Sequence, residues 1–118
     1  MTELKTLNAS DAKKAFDMLQ TMIHSNAVKK GWWESERTFG EIIALCHSEL
    51  SESLEGYRNG NGPDDHLPDM RSVPVELADC VIRIMDYCEH KGISLFDHIL
   101  EKHTYNTGRA HRHGGKKI

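Results

Sequence analysis

The sequence lacks the features that would mark a membrane protein or a secreted one. None of its apolar stretches approaches the roughly 20 residues needed to span a bilayer. The N-terminus has no basic segment followed by an apolar one, so no signal region is predicted. Three cysteines, Cys46, Cys80 and Cys88, form no Cys-x-x-Cys pair, which argues against a disulfide framework and a zinc knuckle. We therefore expect a cytoplasmic protein, with no membrane partner and with three buried thiols.

An excess of basic residues is also missing. The formal net charge is −3, with 15 Lys and Arg against 18 Asp and Glu. Because proteins that bind duplexes usually carry a basic surface, no nucleic-acid partner is predicted. Only the C-terminal tail, from about residue 107, is locally basic, and a solvated end would explain it equally well. At 118 residues, we expect a single domain that spans residues 1–118.

The sequence contains neither repeats nor strand-like alternation, but apolar residues recur at three-and-four spacing in four segments. This pattern predicts an all-α fold resembling a four-helix bundle. Ser10 or Asp11 would cap the first helix, which Gly31 would end. Capping boxes would open the second and fourth helices, and proline suits the first turn of the third. The remaining boundaries are predicted at Thr38 to about Tyr57, Pro74 to about Lys91, and Ser94 to about Tyr105, with a loop from Asn59 to Val73.

The third predicted helix is apolar around roughly 240° of its circumference. A helix of this kind is buried on several sides, in the centre of a bundle or at a subunit interface. Because one small domain would leave much of this area uncovered, we expect a homodimer or a dimer-based tetramer. The polar residues share one narrow stripe: Glu76, Asp79, Arg83, Asp86 and His90.

Two pairs of acids are predicted to meet between the second and third helices. Glu49 and Glu52 lie one turn apart, and Glu76 and Asp79 repeat that spacing. If these helices pack as neighbours, the carboxylates repel one another, at about 4 kcal/mol per pair for a separation of ~4 Å and an effective dielectric near 20. A bound cation would relieve this repulsion. All-oxygen ligation favours hard ions, and Mg²⁺ combines carboxylates with substrate phosphates.

A simpler interpretation of these acids also stays open. Glu-x-x-Glu pairs are common on solvated helix faces, and Arg83 could pair with Asp79 or Asp86 in a structural network. The eight histidines form no compact ligand spacing, so no metal is assigned to them.

The order Glu49-x-x-Glu52, a spacer, then Glu76-x-x-Asp79 resembles the signature of the MazG-like branch of the all-alpha nucleoside triphosphate pyrophosphatases. The resemblance implies that these four acids hold Mg²⁺, with Mn²⁺ as an alternative. It also implies hydrolysis of a nucleoside triphosphate to the monophosphate and pyrophosphate, as in house-cleaning enzymes. Glu49 or Glu52 would act as the general base, and Arg83 would help to bind phosphates or hold the acids in place.

A second match lies downstream, where Lys102, Asn106 and Arg109 resemble a Lys-x-x-x-Asn-x-x-Arg pattern that the family uses near the nucleotide. These side chains would bind the substrate phosphates. The adjacent indoles of Trp32 and Trp33 would stack on the base, in line with aromatic residues in relatives. Alternatively, both indoles only seal the first two helices together.

The resemblance covers about two thirds of the chain, from Thr38 to Lys117, and it implies a dimer or tetramer with sites near the subunit interface. Within the superfamily, a phosphoribosyl-ATP pyrophosphatase or a dUTPase is the alternative. Outside it, the alternative is a non-enzymatic helical module for oligomerisation or regulation, in which the acids are simply solvated.

Overall fold

The chain is helical along most of its length. The structure is a computed structural model, and it describes residues 9–118. Its helices are α1 Ala9–Lys29, α2 Phe39–Arg58, α3 Ser72–His90, α4 Leu95–Thr107 and the single turn α5 Arg112–Gly115. No strand occurs in this range beyond one isolated bridge between Pro63 and Arg71. The predicted all-α class is therefore confirmed. None of the described helices combines the length and apolarity of a membrane span.

Local capping explains where two of the helices begin. The Thr38 hydroxyl accepts a hydrogen bond from the Glu41 backbone N–H, and the Glu41 carboxylate accepts one from the Thr38 N–H, so the predicted capping box is confirmed. Ser94 likewise accepts a bond from the Asp97 N–H at the start of α4. The predicted cap of the first helix is wrong, because α1 already includes Ala9 and encloses Ser10 and Asp11. In the first turn, the Asp11 carboxylate still favours the helix N-terminus through the helix dipole.

The core lies between α2 and α3. Ile42 and Cys46 of α2 meet Cys80 of α3, and Trp33 and Tyr87 pack against this cluster. All three cysteines are free and buried, as predicted. The core is small, since the buried hydrophobic residues of the described chain number five: Ile42, Cys46, Cys80, Met85 and Cys88.

Helix α3 packs against both α2 and α1, whereas α4 packs against α1. The prediction that α3 is covered on several sides is therefore confirmed only in part. Leu77 and Val81 remain 45% and 50% exposed, and Ile84 is 37% exposed. A broad apolar surface of α3 is left open in the single chain.

The connection from α2 to α3 is built around one buried aspartate. The Asp64 side chain accepts hydrogen bonds from the backbone N–H groups of His66 and Leu67, both at 2.9 Å. Its own N–H donates to the Met70 carbonyl at 2.8 Å. Because these bonds satisfy backbone groups that no helix serves, they give the connection a defined shape.

Candidate functional site

Helices α2 and α3 run antiparallel at close range. The Ser53 hydroxyl donates to the Val73 carbonyl at 3.2 Å, and about two turns away Cys46 packs against Cys80. Successive contacts therefore run forward along α3 as they run backward along α2. Near the end of α2, a Cβ added to Gly56 would lie 2.5 Å from the Ser72 hydroxyl oxygen. Glycine at position 56 thus permits the close approach that brings the two helices face to face.

Three of the four predicted acids converge at this interface. Glu49, Glu76 and Asp79 each offer one carboxylate oxygen, and these three oxygens lie within 4.8 Å of one another. Glu49 is buried, while Glu76 and Asp79 are half-buried. We call these three residues the acid cluster. Glu52 is exposed and does not belong to it, although its carboxylate lies near enough to Glu76 to affect how that residue titrates.

Two carboxyl groups of the acid cluster, Glu76 and Asp79, have raised pKa values. Burial, followed by the close approach of Glu52 and Glu49, raises the pKa of Glu76 to about 7 from the ordinary 4.5. Burial and the charge of Glu49 also raise the pKa of Asp79. In addition, Glu76 Oε2 is buried and has no hydrogen-bond donor among the described residues. One buried oxygen of Glu76 therefore lacks the hydrogen-bond partner that a buried polar atom usually has.

One arginine reaches the acid cluster. The Arg83 Nε–H donates to Glu49 Oε1 at 3.0 Å, and this bond differs from the pairing with Asp79 or Asp86 considered above. The Arg83 charge also lowers the pKa of Asp79, but burial and Glu49 outweigh it. A single guanidinium therefore compensates the acids only in part.

A cavity of about 300 Å³ opens beside the acid cluster. It lies between α1, α2, α3 and the connection 30–38, so it combines acidic, basic, aromatic and aliphatic groups. Its lining consists of Ile23, Asn26, Ala27, Trp32, Arg37, Glu49, Asp79, Ile82, Arg83 and Asp86. A space with this mixture suits a ligand that has a planar apolar part and an anionic part.

The two adjacent tryptophans occupy different environments. Trp32 is 54% exposed and lines the cavity, where the Arg37 guanidinium lies 5.3 Å from its ring centroid. Trp33 instead packs against the core, stacks on His90 with ring centroids 3.8 Å apart, and donates its indole N–H to Asp86. The structure therefore leaves Trp32 free to contact a ligand and engages Trp33 within the protein.

The predicted phosphate-binding residues are not brought to the acid cluster within one chain. Lys102 and Asn106 are exposed on α4, and Arg109 follows that helix. Lys102 Nζ lies 4.8 Å from the Tyr105 ring centroid, and the Arg109 guanidinium lies 5.5 Å from it. None of these residues lines the cavity beside the acids.

Three residues of the site are missing from the set predicted by motif. Asp64 is buried in the connection after α2, and its charge also raises the pKa of Asp79. Arg37 and Asp86 line the cavity. Asp86 could have been identified from the sequence, because it is a polar residue on a mostly apolar helix. Asp64 and Arg37 lie outside any periodic pattern, so spacing could not identify them.

Comparison with known proteins gives no match: no protein-family model, no curated protein and no solved structure is significantly similar to this chain. The function is therefore inferred from the geometry of the site and from the sequence motifs.

Proposed function

We propose that this chain is a Mg²⁺-dependent nucleoside triphosphate pyrophosphohydrolase of the MazG-like kind. Its substrate would be a ribonucleoside or deoxyribonucleoside triphosphate, and its products the monophosphate and pyrophosphate. The observation that carries the proposal is the acid cluster, in which Glu49, Glu76 and Asp79 meet at the edge of a cavity that also contains Trp32. A house-cleaning role in the cytoplasm is part of the same proposal.

The residues of the acid cluster fit a hard divalent cation. All three donors are carboxylate oxygens, and Glu76 Oε2 has no protein donor among residues 9–118. Oxygen-only ligation suits Mg²⁺, and Mn²⁺ is the natural alternative. Glu52 would lie beside the ion at the exposed side, where it is not needed as a ligand. When bound, the ion would neutralise the acids and stabilise negative charge on the triphosphate.

The acids divide between two roles in this proposal. Glu49 bonds to Arg83 and belongs to the acid cluster, which suits a ligand. Glu52 is exposed and adjoins Glu76, so it is better able to accept a proton from an attacking water. We therefore favour Glu52 over Glu49 as the general base.

The remaining cavity residues would bind the nucleotide. The exposed ring of Trp32 offers a stacking surface for a base, and Arg83 offers charge to the phosphates. Trp33 would act indirectly, since its ring already contacts His90 and Asp86.

Self-association is a further part of the proposal. The exposed apolar residues of α2 and α3 include Leu50, Leu54, Leu77, Val81 and Ile84. A second copy of the chain would cover this surface, as a homodimer or as part of a tetramer. Lys102, Asn106 and Arg109, which do not line the cavity of their own chain, would then be available to the site of a neighbouring copy.

The test is release of pyrophosphate from a panel of canonical and modified triphosphates, with Mg²⁺, with Mn²⁺ and with a chelator. We expect metal-dependent release that Glu52→Gln abolishes. Glu55→Gln, an exposed acid one turn along α2, is the matched control and should retain activity. Selective cleavage of phosphoribosyl-ATP or dUTP would favour those relatives instead. No release from any compound would favour the non-enzymatic module.

A further inference from the structure

Asp86 is a half-buried carboxylate that the proposed chemistry does not use. It lies two turns after Asp79 on α3, and its side chain is 14% exposed. Its Oδ1 lies 2.7 Å from His24 Nδ1 of α1, and the Trp33 indole N–H donates to Oδ1 at 3.0 Å and to Oδ2 at 3.1 Å. Although Asp86 lines the cavity, both of its oxygens are engaged by the protein.

These bonds join three parts of the molecule. His24 belongs to α1, Asp86 to α3, and Trp33 to the connection between α1 and α2. The Trp33 ring is also stacked on His90, with only 11° between the two planes. The indole is thus fixed at its N–H edge by Asp86 and on one face by His90.

The connection contains no regular helix or strand. Its turn bonds join Gly31 to Val28, Trp32 to Ala27 and Glu34 to Gly31, at 3.1, 3.0 and 3.3 Å, so backbone bonds hold its start and the Trp33 side chain is a contact further along. Within it, Trp32 and Arg37 lie on either side of Trp33 in sequence and both line the cavity.

Arg37 strengthens the case that this part of the connection meets a ligand. Its guanidinium lies over the Trp32 ring, and no carboxylate of residues 9–118 approaches it within ion-pair distance. A half-buried cation without a carboxylate partner, beside an exposed indole, is suited to an anionic and aromatic ligand.

We propose that Asp86 is a positioning residue, which through Trp33 holds Trp32 and Arg37 at the cavity. There Trp32 would contact the base of the ligand and Arg37 an anionic group. The identity of that ligand as a nucleotide rests on the proposed function. The positional claim itself rests on the contacts of Asp86.

The test compares Asp86→Ala and Trp33→Phe with the matched control Glu89→Ala. Glu89 lies on the same helix and also accepts hydrogen bonds from α1, from Gln20 Nε2 at 3.2 Å and Thr21 Oγ1 at 3.3 Å, but it does not line the cavity. Trp33→Phe retains an aromatic ring and the His24–Asp86 contact, so it tests the link with less risk to folding. Circular dichroism checks that each variant keeps its helices.

Amide hydrogen exchange in residues 31–37 provides a measurement that is independent of activity. We expect exchange to become about tenfold faster in Asp86→Ala and Trp33→Phe, and to stay unchanged in Glu89→Ala. For hydrolysis of the best triphosphate of the panel, we expect KM to rise about tenfold while kcat stays within about twofold, because binding is weakened and the acid cluster is intact.

Two results would overturn the inference. Unchanged exchange in both variants would show that Asp86 does not hold the connection. Faster exchange with unchanged KM would show that the connection does not contribute to binding of the nucleotide. If the unmodified protein hydrolyses nothing, the proposed function fails, while hydrogen exchange still decides whether Asp86 positions Trp32 and Arg37.

Discussion

The acid cluster and the C-terminal segment 102–118, called the basic segment below, hold charged side chains in opposite environments. In the first region, Glu49, Glu76 and Asp79 meet at a helix interface with one arginine as partner. In the second, no aspartate or glutamate occurs at all, and every residue except Arg109 is exposed. Like charges gathered at an interface destabilise the fold unless something else binds there, whereas solvated cations cost almost nothing. On the proposed function, a ligand bound at the acid cluster would offset this cost.

The two regions also complement each other in sign without meeting in one chain. On the proposed function, a triphosphate would carry the negative charge for the basic segment, and the divalent ion bound with it would satisfy the acids. The comparison can therefore be tested by removing charge from each region in turn and measuring whether pyrophosphate release falls in both cases.

The largest effect is expected from neutralising the acid cluster. Glu49→Gln and Asp79→Asn preserve shape but remove a carboxylate ligand, so turnover should fall by roughly 10³-fold, equivalent to about 4 kcal/mol of transition-state stabilisation. The measurement is pyrophosphate release at saturating Mg²⁺, with circular dichroism to show that the helices persist. Full activity in either variant would contradict the assignment of that acid.

A smaller effect is expected from the basic segment. Lys102→Ala and Arg109→Ala should lower kcat/KM by about 10- to 100-fold, as expected for the loss of one charge-assisted contact to a phosphate. Lys30→Ala, an exposed residue directly after α1, is the control and should change little. Equal losses of kcat/KM in the control and in the test variants would show that the basic segment acts only through its general positive charge.

Mixing two weakened variants sharpens this comparison. If the basic segment acts on the site of another copy, Glu49→Gln and Lys102→Ala chains should together recover activity, because some mixed dimers contain one intact site. No recovery, in a mixture shown to exchange subunits, would indicate that Lys102 acts within its own chain or not at all.

The fold was largely predictable because its signals are local. The capping box of Thr38 and Glu41 and the glycine stop at Gly31 depend on neighbours in sequence, and the structure contains both. The wrong cap of α1 is also a local matter, since helix boundaries depend on small differences between adjacent residues. The incomplete cover of α3 instead depends on how the helices pack.

The site was predictable only where helical spacing determines the geometry. Spacing brought Glu49, Glu76 and Asp79 together once α2 and α3 packed, but it could not show that Glu52 would remain at the exposed margin. Nor could it separate Trp32 from Trp33. Trp33 is bonded to Asp86, which lies 53 residues further along the chain, and spacing within one helix does not reveal such a contact.

A moderate effect on stability is expected from Glu76. Its pKa is about 7 in the folded chain and ordinarily 4.5, so between these values the folded state retains a proton that the unfolded state has lost. The free energy of unfolding should therefore fall as pH rises from 4.5 to 7, by about 1 kcal/mol after allowance for solvent screening. Glu76→Gln should lack this contribution and be the more stable protein at pH 8 without metal.

Thermal unfolding at pH 5 and pH 8, with and without Mg²⁺, measures this effect. Mg²⁺ should stabilise the unmodified protein more at pH 8, where Glu76 is ionised, and should stabilise Glu76→Gln less. Glu55→Gln provides the control for a simple change in net charge. If thermal stability depends on pH identically in all three proteins, the raised pKa of Glu76 does not contribute to the free energy of unfolding.

The smallest effect is expected in the basic segment itself. Lys102 and Arg109 lie over the Tyr105 ring, but that ring is 60% exposed, and a cation–π contact in water contributes about 0.5–1 kcal/mol at most. Tyr105→Leu should therefore lower the free energy of unfolding by less than about 0.5 kcal/mol, since the substitute still covers the adjacent apolar stems. Urea unfolding gives the measurement. A loss as large as that from a core substitution would show that this segment is packed, and the contrast with the acid cluster would then no longer hold.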